Sequence, residues 1–198
     1  MKYAPIALSM ASLLLVISAA SSPAAAQLPA GAADRFALET EPLLLTQQGG
    51  SLSFLTALDT KRLWSVVASV HATDLTDGIR DNFFRDADAL DVRLAWAAGL
   101  DLRRRLSGTR SGWFAGIGAG IEAFRASLQG TPDDEQQYVF VAPHVGYVWL
   151  VGGSRFFVYP RATVIGLIDN DRERTIGGIT YELRPLVPNL QLRVGAHF

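Results

Sequence analysis

The stretch DVRLAWAAGLDLR, Asp91 to Arg103, decides the fold. Val92, Leu94, Trp96, Ala98, Leu100 and Leu102 fall on one side of an extended chain, and Asp91, Arg93, Ala95, Ala97, Gly99, Asp101 and Arg103 on the other. That two-residue period belongs to a strand whose two faces meet different surroundings. The C-terminus repeats it: Leu190, Leu192, Val194, Ala196 and Phe198 oppose Asn189, Gln191, Arg193, Gly195 and His197. So does the stretch from Trp113, where Ala115, Ile117, Ala119 and Ile121 alternate with Phe114, Gly116, Gly118, Gly120 and Glu122.

Working outward from these, the period predicts strands over Arg35–Leu45, Ser51–Leu58, Arg62–Ala72, Asp91–Arg103, Trp113–Arg125, Tyr138–Leu150, Phe156–Ile168 and Asn189–Phe198. Pro143 and Pro160 interrupt two of them and remove ladder donors, so local loss of pairing or a bulge is expected there. Every second connection, beginning with Asp59–Lys61, is short, whereas Thr73–Leu90 and Asp169–Pro188 are long. Sorting of loops by parity is expected when the two ends of a barrel face different compartments. Phe36, Trp64, Trp113, Tyr147, Trp149, Phe156 and Phe198 gather on the apolar face beside the short turns or the termini, as an interfacial aromatic girdle does. The fold expected is therefore all-β: an eight-stranded antiparallel up-and-down transmembrane β-barrel over residues 35–198, with its apolar face outward.

The first residues read as a targeting segment. Lys2 precedes an apolar run from Ile6 to Ala20, and Ala24-Ala25-Ala26 fits a small-residue cleavage site, so residues 1–26 are expected to be a signal peptide and 27–34 a short linker. A net charge of -1 offers no basis for nucleic-acid binding. The absence of cysteine excludes disulfides, thiolate metal sites and Cys nucleophiles. Gly116-x-Gly118-x-Gly120 lacks the following lysine and helix of a phosphate loop; on a lumen face these glycines leave room for larger side chains.

The leader, the glycine-alternating Gly112–Glu122, Gly146-Tyr147-Val148-Trp149-Leu150 and the ending Pro188–Phe198 together resemble the small outer-membrane β-barrel superfamily, which includes the membrane domain of OmpA-type proteins. The resemblance implies integral placement in the bacterial outer membrane, contact with its lipids and lipopolysaccharide, and insertion by the barrel-assembly machinery. Leu190, Leu192, Val194 and Phe198 would form the assembly signal. A monomer without cofactor or metal is expected. The chain ends at Phe198, so the peptidoglycan-binding domain of OmpA-type proteins is not carried over.

Some barrels of this superfamily act on lipid A, which puts Ser69, His71 and Glu122 under consideration as nucleophile, base and orienting acid. The order of Ser69 and His71 is the reverse of the deacylase pattern and their face is inward, so polar lumen residues are the plainer reading. Asp74, Asp77, Asp81, Asp86 and Asp88 crowd one long loop without the spacing of a dedicated calcium loop. Counting from the strand ends, Glu39 or Glu41, Arg161 and Arg193 are expected to meet at mid-height with His144 in reach, closing the lumen with paired charges. The function expected is a non-enzymatic, plugged barrel with a structural or surface-interaction role. The alternatives are a narrow channel or carrier for small apolar solutes, or a lipid A-modifying hydrolase or acyltransferase.

Overall fold

The computed structural model describes residues 35–106, 111–152, 154–168 and 173–198. The expected signal peptide and linker lie outside the described residues. The strands are β1 (Phe36–Thr40), β2 (Gly50–Ala57), β3 (Trp64–Asp74), β4 (Phe84–Arg85), β5 (Asp91–Arg105), β6 (Gly112–Ser127), β7 (Asp134–Leu150), β8 (Phe156–Ile168), β9 (Glu173–Ile176), β10 (Ile179–Leu183) and β11 (Leu186–His197). Eight of them close a barrel in the order β1-β11-β8-β7-β6-β5-β3-β2, every neighbouring pair antiparallel. Closure between β1 and β11, with Ala37 opposite His197 and Thr40 opposite Val194, leaves the sheet without an edge.

Three departures from strict alternation matter. The first predicted strand does not run to Leu45: it stops at Thr40, and Pro42–Gln47 forms a 3-10 helix begun by Pro42, whose ring favours a first helical turn and cannot donate to a ladder. The second lies in β5. Leu94 faces Phe124 but Trp96 faces Ala123, so Ala95 is an extra residue and the strand bulges. The bulge reverses the upper face: Val92 and Leu94 turn inward with Ala97, while Trp96, Leu100 and Leu102 stay outward. The expectation that Val92 through Leu102 share one face is corrected by that single residue. The third is at the prolines. Between β7 and β8 the pairing skips from Val141↔Gly166 to His144↔Thr163, and from Gly146↔Arg161 to Trp149↔Val158, beside exposed Pro143 and Pro160.

The connections expected to be long loops carry structure. Helix α1 (Asp77–Phe83) leads into β4, which pairs with β10, and β10 with β9, in a small sheet over one end of the barrel. Beneath it Phe83, Phe84, Val92, Leu94, Phe124, Tyr138, Tyr181 and Leu183 pack as an apolar core, with Phe84 edge-on to Phe124 at 5.1 Å. The other end is filled by Ala37, Leu55, Val67, Phe114, Val148, Phe157 and Tyr159. Two apolar layers therefore bracket a polar middle.

Candidate functional site in the barrel lumen

The polar middle is built by inward positions of β1, β5, β8 and β11. Arg103 donates from Nη1 to both Glu39 oxygens at 3.0 and 3.2 Å, and to the Tyr159 hydroxyl oxygen at 2.9 Å. The Tyr159 hydroxyl donates to Glu39 Oε2 at 2.5 Å. Arg193 lies 3.7 Å from Glu39 and 3.9 Å from Glu41 and donates to Ser53 Oγ at 3.0 Å. Asp101 receives Arg103 at 3.2 Å and Arg161 at 2.7 Å, and Arg161 also donates to Gln191 at 2.7 Å. Glu39, Arg103, Arg161 and Arg193 are all buried, so each charge depends on its partners rather than on water.

Of the residues expected to meet, Glu39, Glu41 and Arg193 lie together. Glu41 sits at the entrance to the 3-10 helix rather than on a strand, yet remains buried. Arg161 pairs with Asp101 and not directly with either glutamate. His144 is not within an ion pair; its Nδ1 lies 3.1 Å from the Ala142 carbonyl oxygen. Asp101, Arg103, Tyr159, Ser53 and Gln191 were missed as members. Asp101 and Arg103 lie on the polar face of their alternating strand, so the signal was present; what the pattern lacks is which side chains reach across a barrel.

The glycine wall of β6 makes room for the cluster. A Cβ on Gly116 would stand 2.5 Å from His144 Nε2, and one on Gly118 would collide with the Asp101 carboxylate. Below the cluster a pocket of about 30 Å³ lies between Glu39, Arg103, Phe114 and Tyr159, enough for about one or two waters. Above it a space of about 1060 Å³ opens that also reaches the outer face of the wall at Val145, Val164 and Leu190; its lumen side is bordered by the polar Glu41, Ser69, His71, Glu122, His144 and Thr163 and the apolar Leu44, Leu75, Ile79, Phe83, Leu94 and Phe140. Ser69, His71 and Glu122 border this cavity, but no hydrogen bond joins them among the described residues, and His71 Nδ1 and Glu122 Oε1 have no partner.

On the outside, Phe36, Trp64, Trp113, Trp149 and Phe156 are exposed at the end near the termini and short turns. Tyr147 packs between Trp113 at 5.3 Å and Trp149 at 5.0 Å, and Phe198 stacks on Phe36 at 6.2 Å. Phe54 joins Phe36 and Phe198, a member the sequence reading left out. On β11, Leu190 and Leu192 are exposed, and the half-buried Val194 is turned outward opposite Thr40 and Val158.

A closed, antiparallel, eight-stranded wall with apolar residues outward and paired charges inward is the architecture of a small outer-membrane β-barrel. No family model and no curated protein sequence matches the chain. Among solved structures it is similar to Neisserial surface protein A, with a TM-score of 0.51 and 13% identity over 82% of this chain and 97% of that one. It is also similar to a major outer membrane protein from Thermus thermophilus, with a TM-score of 0.50 and 11% identity over 82% and 98% of the two chains. At these identities the likeness is one of fold.

Proposed function

We propose that the protein is an integral outer-membrane barrel that does not conduct ions, and that its role is structural or surface-interacting rather than catalytic. One observation carries the reading: the Glu39–Arg103–Tyr159 and Asp101–Arg161 contacts lie directly over an apolar layer, and the pocket between the two holds about 30 Å³. An ion crossing there would have to break buried charge pairs and enter a space lined by Phe114, Phe157 and Tyr159. The outward aromatics supply the interfacial girdle, the termini lie on the periplasmic side, and the capped end with α1, β4, β9 and β10 faces the exterior. Lipids and lipopolysaccharide surround the wall, and the terminal Leu190, Leu192, Val194 and Phe198 serve recognition by the assembly machinery.

Planar-bilayer recording of the refolded barrel tests it. No discrete conductance steps are expected from the wild type. Steps of porin size would remove the argument. Protease added to intact cells should nick only the segments 73–90, 126–137 and 169–188; cleavage at Asp59–Lys61 would reverse the orientation.

A further inference from the structure

We propose that the cavity in the outer half of the lumen binds a small organic amine, with the ammonium against Glu122 and the apolar body among Phe83, Leu94 and Phe140. The charges of the lumen carry this. Glu39 and Asp101 hold hydrogen bonds from Arg103 and Arg161, and Glu41 lies beside Arg193. Glu122 is 3% exposed and has no ion pair or hydrogen bond among the described residues. A carboxylate buried in that way lacks both a counter-charge and donors, and an ammonium brings both.

The surroundings of Glu122 select the rest of the ligand. Glu122 stands opposite Ala97 and Tyr138, one inward position from Phe124 and diagonal to Phe140. Its cavity is walled by Leu75, Ile79, Phe83 and Leu94 on the side of α1, which suits an alkyl or aryl body. Further toward the charge cluster, His144 Nε2 and Thr163 Oγ1 are also buried without partners and border the same space, so a second polar group on the ligand has somewhere to bond. An anionic ligand is disfavoured because the bordering arginines, Arg161 and Arg193, are already committed to Asp101, Glu39 and Glu41. No group of metal-ligating side chains that could hold an ion occurs among the described residues.

The test is isothermal titration of the full barrel in zwitterionic nanodiscs with 4-phenylbutylamine, 4-phenylbutan-1-ol and 4-phenylbutyrate, corrected against empty discs. The amine is expected to bind saturably at one site, about tenfold or more tighter than the alcohol, with no saturable binding of the carboxylate. Glu122→Gln, checked for folding by its heat-modified gel mobility, is expected to lose the amine preference. Equal binding of amine and alcohol, tighter binding of the carboxylate, or no saturable amine binding would overturn the proposal. So would a preference retained in Glu122→Gln, which would assign the amine to the acidic outer segments. If that variant does not fold, the barrel carrying Asp77→Asn, Asp81→Asn, Asp86→Asn and Asp88→Asn together decides the matter: the amine preference is expected to persist, and its loss would overturn the proposal.

Discussion

Arg103 on β5 spans the lumen to Glu39 on β1, its Nη1 3.0 Å from Oε1, with only 6% and 1% of the two side chains exposed. In the wall β2 and β3 stand between these strands, so the pair is a strut through the interior rather than a rung of the sheet. Removing one side leaves the other buried and short of a partner, which costs about 3–5 kcal/mol. Arg103→Ala should fall near the lower figure, because Tyr159 and Arg193 still face Glu39. Urea unfolding of the barrel refolded into phospholipid vesicles measures it, and an unchanged midpoint would mean that water already bathes the strut.

The Tyr159 hydroxyl touches both members of the pair. Tyr159→Phe should cost about 1–3 kcal/mol, the range for a buried group that loses its hydrogen-bonding partner. Combined with Arg103→Ala the loss should be smaller than the sum, since both changes act on Glu39. Strict additivity in the same urea titration would show that the three groups are not one network.

In the turn between β2 and β3, Asp59 accepts a hydrogen bond from the Trp64 amide at 2.9 Å. That bond, more than any other, holds its carboxyl below the ordinary value of 3.8. A depressed folded-state value means that the turn gains from the carboxylate above the ordinary value and loses that gain as pH falls through the lower one. A carbon-detected NMR titration should place the Asp59 midpoint under 3.8. Asp59→Asn should remove this acid-dependent component from the turn, and a midpoint at the ordinary value would refute the bond.

Arg80 in α1 gathers Asp77, Asp81 and Asp88 at 3.1, 3.2 and 3.4 Å. The carboxylates are mostly exposed, so the pairs are screened and their joint contribution is modest. Their effect is local order. Arg80→Ala should leave the barrel's unfolding midpoint nearly unchanged while speeding proteolysis between Thr73 and Leu90. Equal cleavage rates in the two proteins would show that the apolar contacts of Phe83 and Phe84 suffice.

Phe198 stacks on Phe36 across the closing seam, and its amide donates to the Phe36 carbonyl oxygen at 3.0 Å. Deleting Phe198 should reduce the heat-modifiable folded form in outer-membrane fractions, because it takes part in seam closure and, in the proposed reading, in recognition of the last strand. An unchanged folded yield would remove the assembly role from this residue.

Much of the wall was legible because alternation is a property of single strands. Arg193 and Glu39 could be placed together from the sequence, since β1 and β11 meet at the chain ends, where counting is simple. Arg103 and Asp101 escaped because their partners sit on strands that do not adjoin β5, and reach across a lumen depends on shear and side-chain length. The inverted face of Val92 and Leu94 escaped for another reason. Ala95-Trp96-Ala97-Ala98 is apolar at four successive positions, so an inserted residue there leaves the alternation looking intact. Helix α1 and the small sheet were hidden in connections whose short apolar clusters, Phe83-Phe84 among them, pack only once the barrel offers them a mouth.

The extra residue in β5 also acts as a depth gauge. On the stretch below it, Trp96, Ala98, Leu100 and Leu102 point out; above it, Asp91 and Arg93 do. At Ala95 the exposed face of β5 thus changes from apolar to charged, and in the proposed outer-membrane setting that level would be the edge of the acyl-chain region. From there to Arg104, whose guanidinium lies 5.4 Å from the Trp64 ring, β5 spans roughly 21–24 Å along the barrel axis at ~3.3 Å per residue and ~35–45° of tilt. That is close to the apolar band of ~25 Å typical of such walls. In that setting, shifting the bulge by two residues would move the upper limit of the apolar face of β5 by about 5 Å, which ties the position of one alanine to the bilayer thickness this strand would match.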